Sequence, residues 1–580
     1  MSVILGISGG NNYLKQHVQC ATRQDAILDL IFTDEEDMID HVESLGPLAT
    51  SDHSLLKWNL ITSVREIESR ASGSLNLDYR RGDFSSIQSE LKNVNWDKLF
   101  DGSSTDEAWH TFCSILHECE IPQRNKHKQQ SKPMWMSHKA LKLLRKKYKA
   151  YGKYKSVGHP AYKKAAYAAT DELRKARRNF ESKLAQNVRS DKKSFFAYMR
   201  SKSKCKTIPG PLINQSGELL HEPMEMSEEF NTFFASVFTE EKTSEIPHVP
   251  CDDSVPQLDS IIITEEMVRK CMMKLRADKS PGPDDISPRL LIKISDEIVV
   301  PLTIIFNKSL ESGSVPDDWR TANVSPIFKN GKRNLPENYR PVSLTSQVCK
   351  LFEHIVREEL VNHLESHQLI SDTQHGFRRG RSCLTNLLVF LGEVSWNIDN
   401  NNCMDAIYLD FAKAFDKVPH QRLIHKLRSH GISGSLLTWI SSWLYCRRQR
   451  VQISGAKSEW IRIASGVPQG SVLGPVLFLI YINDLGIDVN ESTTILKFAD
   501  DTKIYAACNN EDDHRLIQSD LSKLEMWAKD WQMEFNVKKC KTMHLGHSNS
   551  RLQYWLGGNV LDSTSCEKDL GVWISSDLIT

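Results

Sequence analysis

Two adjacent carboxylates lie between two β-prone segments in the last fifth of the chain. Asp500 and Asp501 follow Thr494–Phe498 and precede the β-prone run Thr502–Ala507. This pattern predicts a β-hairpin that presents both carboxylates at its tip. Neighbouring carboxylates repel each other unless a cation lies between them, and Mg²⁺ is the usual cation for hard oxygen ligands. Because Asp-Asp turns are common, this stretch alone also fits a solvated turn.

A second acidic site lies upstream, at the end of a mostly apolar run. Residues 406–411 predict a strand, and Asp410 follows its apolar part. A charge at the end of a buried strand is unfavourable unless it is paired or metal-bound. Between the two acidic sites, a glycine-rich turn at 465–471 leads into the apolar run Val472–Ile482. That run predicts a helix, with Pro475 tolerated in its first turn.

Together, these segments resemble the palm motifs of reverse transcriptases. The similar segments, in chain order, are Leu409–Asp416 for motif A, Gly466–Ser471 for motif B and Phe498–Asp501 for motif C. The resemblance implies two-metal phosphoryl transfer, in which two Mg²⁺ ions, or Mn²⁺, clamp the attacking 3′-hydroxyl and the leaving pyrophosphate. Asp410 and Asp500 would hold both ions, and Asp501 would assist.

The same resemblance assigns residues to a nucleotide site. Phe415 matches the bulky side chain that collides with a ribose 2′-hydroxyl, although the residue also fits ordinary core packing. Gln469 and Gly470 would approach the nucleotide and template closely, since glycine has no Cβ. Lys329 and Arg340 lie in segments that resemble the fingers and would meet the triphosphate, as a point charge and a bidentate fork. Either cation also fits a solvated surface.

Further segments carry the resemblance beyond the palm. Residues 375–382 form a basic loop that would touch template phosphates, through Arg378, Arg379 and Arg381. Asn536–Lys539 resembles motif D, and its Lys539 would protonate the leaving pyrophosphate, with Lys541 as the alternative.

Lys279–Asp284 resembles the N-terminal extension motif of non-LTR (LINE-type) retrotransposon reverse transcriptases. Asp285 follows where that family often has glycine. Leu570–Trp573 resembles the primer-grip hairpin of the same family. These matches imply an RNA template, a DNA primer and deoxynucleotides as partners.

The N-terminus resembles the last part of an apurinic-type (exonuclease–endonuclease–phosphatase) endonuclease. The similar residues are Asp29, which lies in an apolar segment that predicts a strand, and the tripeptide Ser51, Asp52 and His53. In that family an Asp orients the His, which acts on the scissile phosphate. The early metal ligands of the family have no counterpart before Asp29, so we expect this remnant to lack nuclease activity and a good core.

Between these two resemblances lies a strongly basic segment. From Arg124 to Lys206 there are 26 Lys and Arg against 4 Asp and Glu, whereas the whole chain of 580 residues has a net charge of +1. The segment predicts long basic helices with interleaved tyrosines. So concentrated a charge favours contact with nucleic-acid phosphates, through residues such as Arg145, Lys146 and Lys147. The alternative is a solvated helical linker.

We therefore expect an α+β protein with right-hand polymerase fingers and palm, an antiparallel palm sheet backed by helices. The expected domains are an α/β endonuclease remnant at 1–60, a helical basic connector and linker at 61–255, and fingers and palm at 256–580 without a thumb. The 13 cysteines form no CxxC pair, and neither a signal peptide nor a run of about 20 apolar residues is evident. This favours an intracellular protein that is neither secreted nor membrane-bound, in the nucleus or in a cytoplasmic ribonucleoprotein.

Two other functions remain open from the sequence. One is a viral-type RNA-directed RNA polymerase, because Asp416 lies near the point where such enzymes often place an acidic residue for the 2′-hydroxyl. The other is a decayed or co-opted nucleic-acid-binding fragment without catalysis.

Overall fold

The computed structural model describes residues 15–23, 25–33, 39–47, 53–60, 77–79, 81–119, 121–122, 133–155, 159–188, 194–196, 198–199, 209–214, 216–249 and 254–577. The chain divides into two compact units. One comprises Met1–Pro122 and Pro209–Thr580, and the other is Gln123–Ile208.

Helices make up most of the described secondary structure. In chain order they are α1 (Phe84–Lys92), α2 (Trp96–Phe100), α3 (Thr105–Glu118), α4 (His138–Tyr154), α5 (Pro160–Gln186), α6 (Pro223–Ser236), α7 (Glu265–Met273), α8 (Pro288–Lys293), α9 (Ser295–Ser312), α10 (Gln347–Ser366), α11 (Cys383–Asp399), α12 (Ala414–Lys417), α13 (His420–Ser429), α14 (Gly434–Leu444), α15 (Gly474–Tyr481) and α16 (Glu511–Asp530). No described helix is long and apolar enough to cross a membrane.

The strands are mostly short. In chain order they are β1 (Lys15–Gln16), β2 (Phe32–Thr33), β3 (Ile39–Pro47), β4 (Ser54–Leu60), β5 (Leu212–Ile213), β6 (Leu219–Leu220), β7 (Thr321–Phe328), β8 (Tyr339–Leu344), β9 (Met404–Leu409), β10 (Arg448–Ile453), β11 (Ala456–Lys457), β12 (Ile461–Arg462), β13 (Thr494–Phe498), β14 (Asp501–Ala507), β15 (Lys541–Leu545), β16 (Trp555–Leu556), β17 (Asn559–Val560), β18 (Asp562–Ser563), β19 (Cys566–Asp569) and β20 (Val572–Ser575).

One five-stranded sheet has the order β13-β14-β9-β15-β18, and we call it the palm sheet. β9 pairs antiparallel with both β14 and β15, which places it in the middle. Ile407 and Leu409 of β9 enter the main hydrophobic core, whereas Met404 and Ala406 enter a second core beneath α11. Alternate side chains therefore face opposite cores. This confirms the predicted strand, and its burial on both faces fixes the register.

The second five-stranded sheet has the order β11-β10-β7-β8, with β12 also paired to β10, and we call it the fingers sheet. β10 and β7 are parallel, and β7 and β8 are antiparallel. Helix α6 packs on one face, where the rings of Phe230 and Tyr339 lie 4.8 Å apart. The side-chain amide of Asn231 also donates to the Glu459 carbonyl at 2.8 Å.

The region predicted as a connector over 61–255 is not one structural unit. Helices α1 to α3 bury their apolar faces in the main core, where the rings of Trp109 and Trp319 meet edge to face at 5.2 Å. The indole N–H of Trp109 donates to Asp318 at 3.0 Å. Because α6 also packs on the fingers sheet, only the middle of the predicted connector, Gln123–Ile208, forms a separate unit.

That separate unit contains a helical hairpin of α4 and α5. Ser137 caps the first helix by accepting from the Ala140 N–H at 3.1 Å. Lys139 of α4 pairs with Glu172 of α5 at 2.9 Å. The predicted long basic helices are thus present.

The described part of 1–60 forms two isolated strand pairs, β1 with β2 and β3 with β4. Among the described residues it contributes no side chain to either of the two hydrophobic cores. Leu28 and Leu30 are each 53% exposed.

Candidate active site

The three predicted acidic residues lie close together at one end of the palm sheet, beside the C-terminal end of β9. Thr502 of β14 pairs with Leu409 of β9, so continuing the register by one residue sets Asp501 opposite Asp410. Opposed residues in an antiparallel pair lie about 4.5–5.5 Å apart at Cα. Asp500 occupies the tight turn between β13 and β14, directly after Ala499, whose φ is 55°. The predicted hairpin is therefore present, with both of its carboxylates at the end of β9.

The carboxylates of the turn ionise less readily than ordinary aspartates. Burial raises the pKa of Asp500, and the nearby Asp410 raises it further. Partial desolvation, followed by repulsion from Asp500 and Asp410, raises the pKa of Asp501 to about 6. A cation placed among these groups would relieve the repulsion and favour their ionised forms.

The ammonium of Lys539 forms an ion pair with Asp410. The backbone of Asp410 is also held in place, because the Asn536 N–H donates to its carbonyl oxygen at 2.7 Å. Among the described residues, no three His, Cys, Asp or Glu side chains surround a common point closely enough to hold a metal ion. Carboxylate oxygens suit a hard divalent cation, and in this structure the positive charge beside Asp410 is that of Lys539.

Two predicted cations of the fingers lie beside this cluster. Ile327 of β7 pairs with Arg340 of β8, so Arg340 and Lys329 share one face of the sheet. Burial, followed by the charges of Lys539 and Arg340, lowers the pKa of Lys329. Lys329 and Arg340 in turn act to lower the pKa of Asp500, against its burial. Opposite charges thus line the two sides of one site, as binding of a metal–triphosphate complex requires.

The predicted motif B residues are held against the fingers sheet and helix α12. The Ser343 N–H donates to the Gln469 carbonyl at 2.8 Å, and Gly470 has a φ of 107°. A Cβ on Gly470 would lie 2.9 Å from the Ser343 carbonyl oxygen, so the position needs glycine. The Gln469 side chain donates to Asp416 at 3.1 and 3.2 Å.

Phe415 of α12 packs against α15. Its ring stacks on Phe478 with centroids 4.5 Å apart, and the residue is half-buried. The core packing considered from the sequence therefore exists, and it also fixes the orientation of the ring.

Residues 327–573 match the family model described as "Reverse transcriptase (RNA-dependent DNA polymerase)". The matched part of the chain is therefore a reverse transcriptase domain, and it resembles those of non-LTR retrotransposons.

Three relatives illustrate the similarity of this chain to proteins of mobile elements. It is 26% identical to the RNA-directed DNA polymerase from mobile element jockey of Drosophila melanogaster, over 84% of this chain and 56% of that protein. The probable RNA-directed DNA polymerase from transposon BS of the same species is 28% identical, over 72% and 48%. The Pol polyprotein from type-1 retrotransposable element R2 of Popillia japonica is 25% identical, over 48% and 39%. The chain spans about half the length of the curated relatives it matches.

The basic loop of this reverse transcriptase divides its arginines between two roles. Arg378 donates to both carboxylate oxygens of Glu365, at 3.1 and 2.9 Å, and its side chain is only 10% exposed. Arg381 pairs with Asp372 at 3.0 Å, whereas Arg379 is exposed. Arg378 therefore holds the loop in place instead of offering a free guanidinium to a phosphate, which corrects its predicted role.

Sequence reasoning missed Gln374, which holds the turn that carries Asp500. Its side-chain oxygen accepts from the N–H of Ala499 at 2.9 Å and from the N–H of Gly376 at 2.8 Å. Gln374 is 2% exposed and forms an isolated parallel β-bridge with Lys497 of β13. The only signal in the sequence is that a glutamine precedes the basic loop, which does not indicate its partner 125 residues away.

The departure from the family at Asp285 has a structural explanation. Its φ is 55°, in the left-handed region that glycine adopts freely. Aspartate tolerates this region better than most other residues. The turn is therefore retained with a different side chain.

At the N-terminus, the structure brings together two of the predicted endonuclease residues. His53 Nδ1 and Asp29 Oδ2 are 2.6 Å apart, and this hydrogen bond lowers the pKa of Asp29. The hydroxyl of Thr22 accepts from the Leu28 and Asp29 N–H groups. Ser51 and Asp52 lie outside the described residues.

In the helical hairpin, the predicted phosphate-binding residues lie on α4. Arg145 and Lys146 are exposed, and Lys147 is half-buried. Tyr148, next to them, is 67% exposed.

Proposed function

We propose that this chain adds deoxynucleotides to a DNA 3′-hydroxyl on an RNA template. The observation that carries the proposal is the convergence of Asp410, Asp500 and Asp501 at the end of β9, beside Lys329 and Arg340. Two bound Mg²⁺ ions would supply the Lewis acidity for in-line phosphoryl transfer. Asp410 and Asp500 would hold them, with Asp501 as the third carboxylate.

The surrounding side chains have separate tasks in this reaction. Lys329 and Arg340 bind and orient the triphosphate, and the fork of Arg340 fits two phosphate oxygens at once. Lys539 holds a proton close to Asp410. It can transfer that proton to the pyrophosphate as negative charge develops there. Phe415, fixed by its stacking on Phe478, blocks the space that a ribose 2′-hydroxyl needs.

The alternative of RNA synthesis is less well supported. Asp416, the residue that would accept a 2′-hydroxyl, is 9% exposed and already accepts from Gln469. It is therefore not placed to meet a nucleotide.

Extension of a DNA primer on an RNA template by the full chain tests the proposal. Asp500→Asn should abolish Mg²⁺-dependent extension, because a neutral amide binds a hard cation weakly, and should leave template binding unchanged. Asp399→Asn, an exposed residue at the end of α11, is the matched control. Extension by Asp500→Asn at the wild-type rate would refute the assignment, and absent extension by wild type would favour a non-catalytic nucleic-acid-binding protein.

We also propose that the enzyme acts inside the cell, in the nucleus or in a cytoplasmic ribonucleoprotein, where an RNA template is present. The N-terminal strand pairs are not expected to nick DNA, because among the described residues Asp29 and His53 belong to no group of three His, Cys, Asp or Glu side chains that could hold a metal ion.

A further inference from the structure

One face of the fingers sheet carries a row of cations that extends away from the candidate active site. Helix α6 covers the opposite face, through the contact of Phe230 with Tyr339. Pairing of Arg448 with Thr321 and of Arg450 with Asn323 puts these two arginines on the same face as Arg340. Arg448 pairs with Thr321 and Arg340 pairs with Ile327, so the two pairs are six positions apart along β7. This is about 20 Å in an extended strand.

Two arginines at the far end of this face lie over one aromatic ring, and a third arginine lies opposite one of them on the neighbouring strand. Arg448 lies directly opposite Arg462 across the pairing of β10 with β12. The guanidinium of Arg450 lies 4.2 Å from the centre of the Trp460 ring, and that of Arg448 lies 6.0 Å from it. We call this set, Arg448, Arg450, Arg462 and Trp460, the arginine cluster.

The charges of the arginine cluster are not neutralised within the described protein. None of the three guanidiniums lies within 4.0 Å of a described carboxylate, whereas Arg320, which directly precedes β7, is paired with Asp317. Burial lowers the pKa of Arg450, and Asp285 is the carboxylate that acts against this. Like charges directly opposite each other across two strands destabilise a sheet, so this arrangement favours binding of an anion.

We infer that the arginine cluster binds the phosphate backbone of the template strand before it is copied. The inference rests on the proposed polymerase function, because it assigns a partner to the face that carries Lys329 and Arg340. Guanidinium groups match phosphate geometry through paired N–H donors. Cations spaced along a strand match a polyanion that follows the sheet.

Binding of labelled primer–template duplexes to the full chain tests this inference. One substrate has a 5′ single-stranded template overhang of about 12 nucleotides, and the other has an overhang of about 2 nucleotides, which is too short to span the 20 Å from the site. The double variant Arg448→Gln, Arg462→Gln should bind the long-overhang substrate more weakly and the short-overhang substrate as wild type does. For two lost phosphate contacts, the slope of log K against log salt should fall by about 1.4 on the long overhang.

Three controls separate phosphate binding from folding. Arg448→Lys, Arg462→Lys keeps both charges and should retain most of the slope. The double variant Arg269→Gln, Arg515→Gln removes two arginines far from the cluster in sequence, each paired with a glutamate of its own helix, Glu265 and Glu511. It should change the binding of neither substrate. The melting temperature of the glutamine double variant should stay the same or rise, because the repulsion across the strand pair is removed; Arg462→Gln alone serves if that variant does not fold.

Equal binding of both substrates by wild type and the glutamine double variant would overturn the inference. So would an equal loss on both substrates, which would mean a duplex contact. The measurement needs no catalysis, so Asp500→Asn should show the same dependence on overhang length. Absent extension with overhang-dependent binding intact would remove the polymerase proposal and leave the arginine cluster as a single-strand site.

Discussion

Gln374→Met should uncouple the catalytic turn from the loop that supports it. Methionine has nearly the same volume and no comparable acceptor, so the N–H groups of Ala499 and Gly376 would both lose their partner in a buried site. Each such loss costs about 1–3 kcal/mol. We therefore expect the free energy of unfolding to fall by about 2–6 kcal/mol for the pair.

Part of this loss should appear in catalysis. Ala499 has a φ of 55°, a conformation that costs an L-residue about 1–2 kcal/mol and that the surrounding contacts must maintain. When the two hydrogen bonds to Gln374 are lost, the turn can relax and move Asp500 away from Asp410. If about 2 kcal/mol of transition-state stabilisation is lost, kcat falls about 30-fold.

Primer extension and urea unfolding measure these two effects. kcat should fall while KM for the primer–template stays near the wild-type value, since Gln374 is buried and away from the nucleic acid. Gln347→Met is the matched control: Gln347 is also buried and donates to the Ser280 carbonyl at 2.7 Å, so its loss should lower stability without lowering kcat in the folded protein. A Gln374→Met enzyme with wild-type kcat would refute the reasoning.

Three further predictions follow from the site and the hairpin. Phe415→Val should raise the ratio of ribonucleotide to deoxynucleotide incorporation, and equal use of both by wild type would refute the gate. Burial raises the pKa of Asp416 to about 6 from 3.8, so stability should fall as pH rises between these values, by up to about 3 kcal/mol, and Asp416→Asn should flatten the fall in unfolding experiments. Replacing Arg145, Lys146 and Lys147 together by Gln should flatten the salt dependence of single-strand RNA binding by up to about 2, measured by fluorescence anisotropy, whereas a solvated linker would show no change.

The palm was predictable because its signals are local. An apolar strand that ends in Asp410 and a hairpin with two adjacent carboxylates each specify their own geometry within ten residues. The structure changes only the boundaries, since β14 begins at Asp501 instead of Thr502. The pairing of β9 with β14 agrees with the burial of both faces of β9, which a mostly apolar strand indicates.

The helices around the core were not predictable in the same way. The Trp109 ring packs on Trp319, 210 residues further along the chain, and nothing in the sequence near Trp109 indicates that partner. Helix α6 lies in an acidic, proline-containing stretch that resembles a linker, yet Pro223 occupies the first turn, where proline is tolerated. Burial that depends on distant partners is invisible to a local pattern.

The cations near the active site show why composition alone cannot assign roles. Arg378 and Lys497 are as basic as Arg379, yet Glu365 pairs with the first, and the carbonyls of Asn483 and Leu485 accept from the second at 3.0 and 2.9 Å. Both support the turn that carries Asp500. Arg378 fixes the basic loop that follows Gln374, and the backbone of Lys497 bonds to Thr373 and His375, the two neighbours of Gln374. The buried cations Arg378 and Lys497 have protein partners and so help to keep the turn of Asp500 rigid. The exposed Arg379 is available to a substrate. The difference lies in the partners, which only the fold brings together.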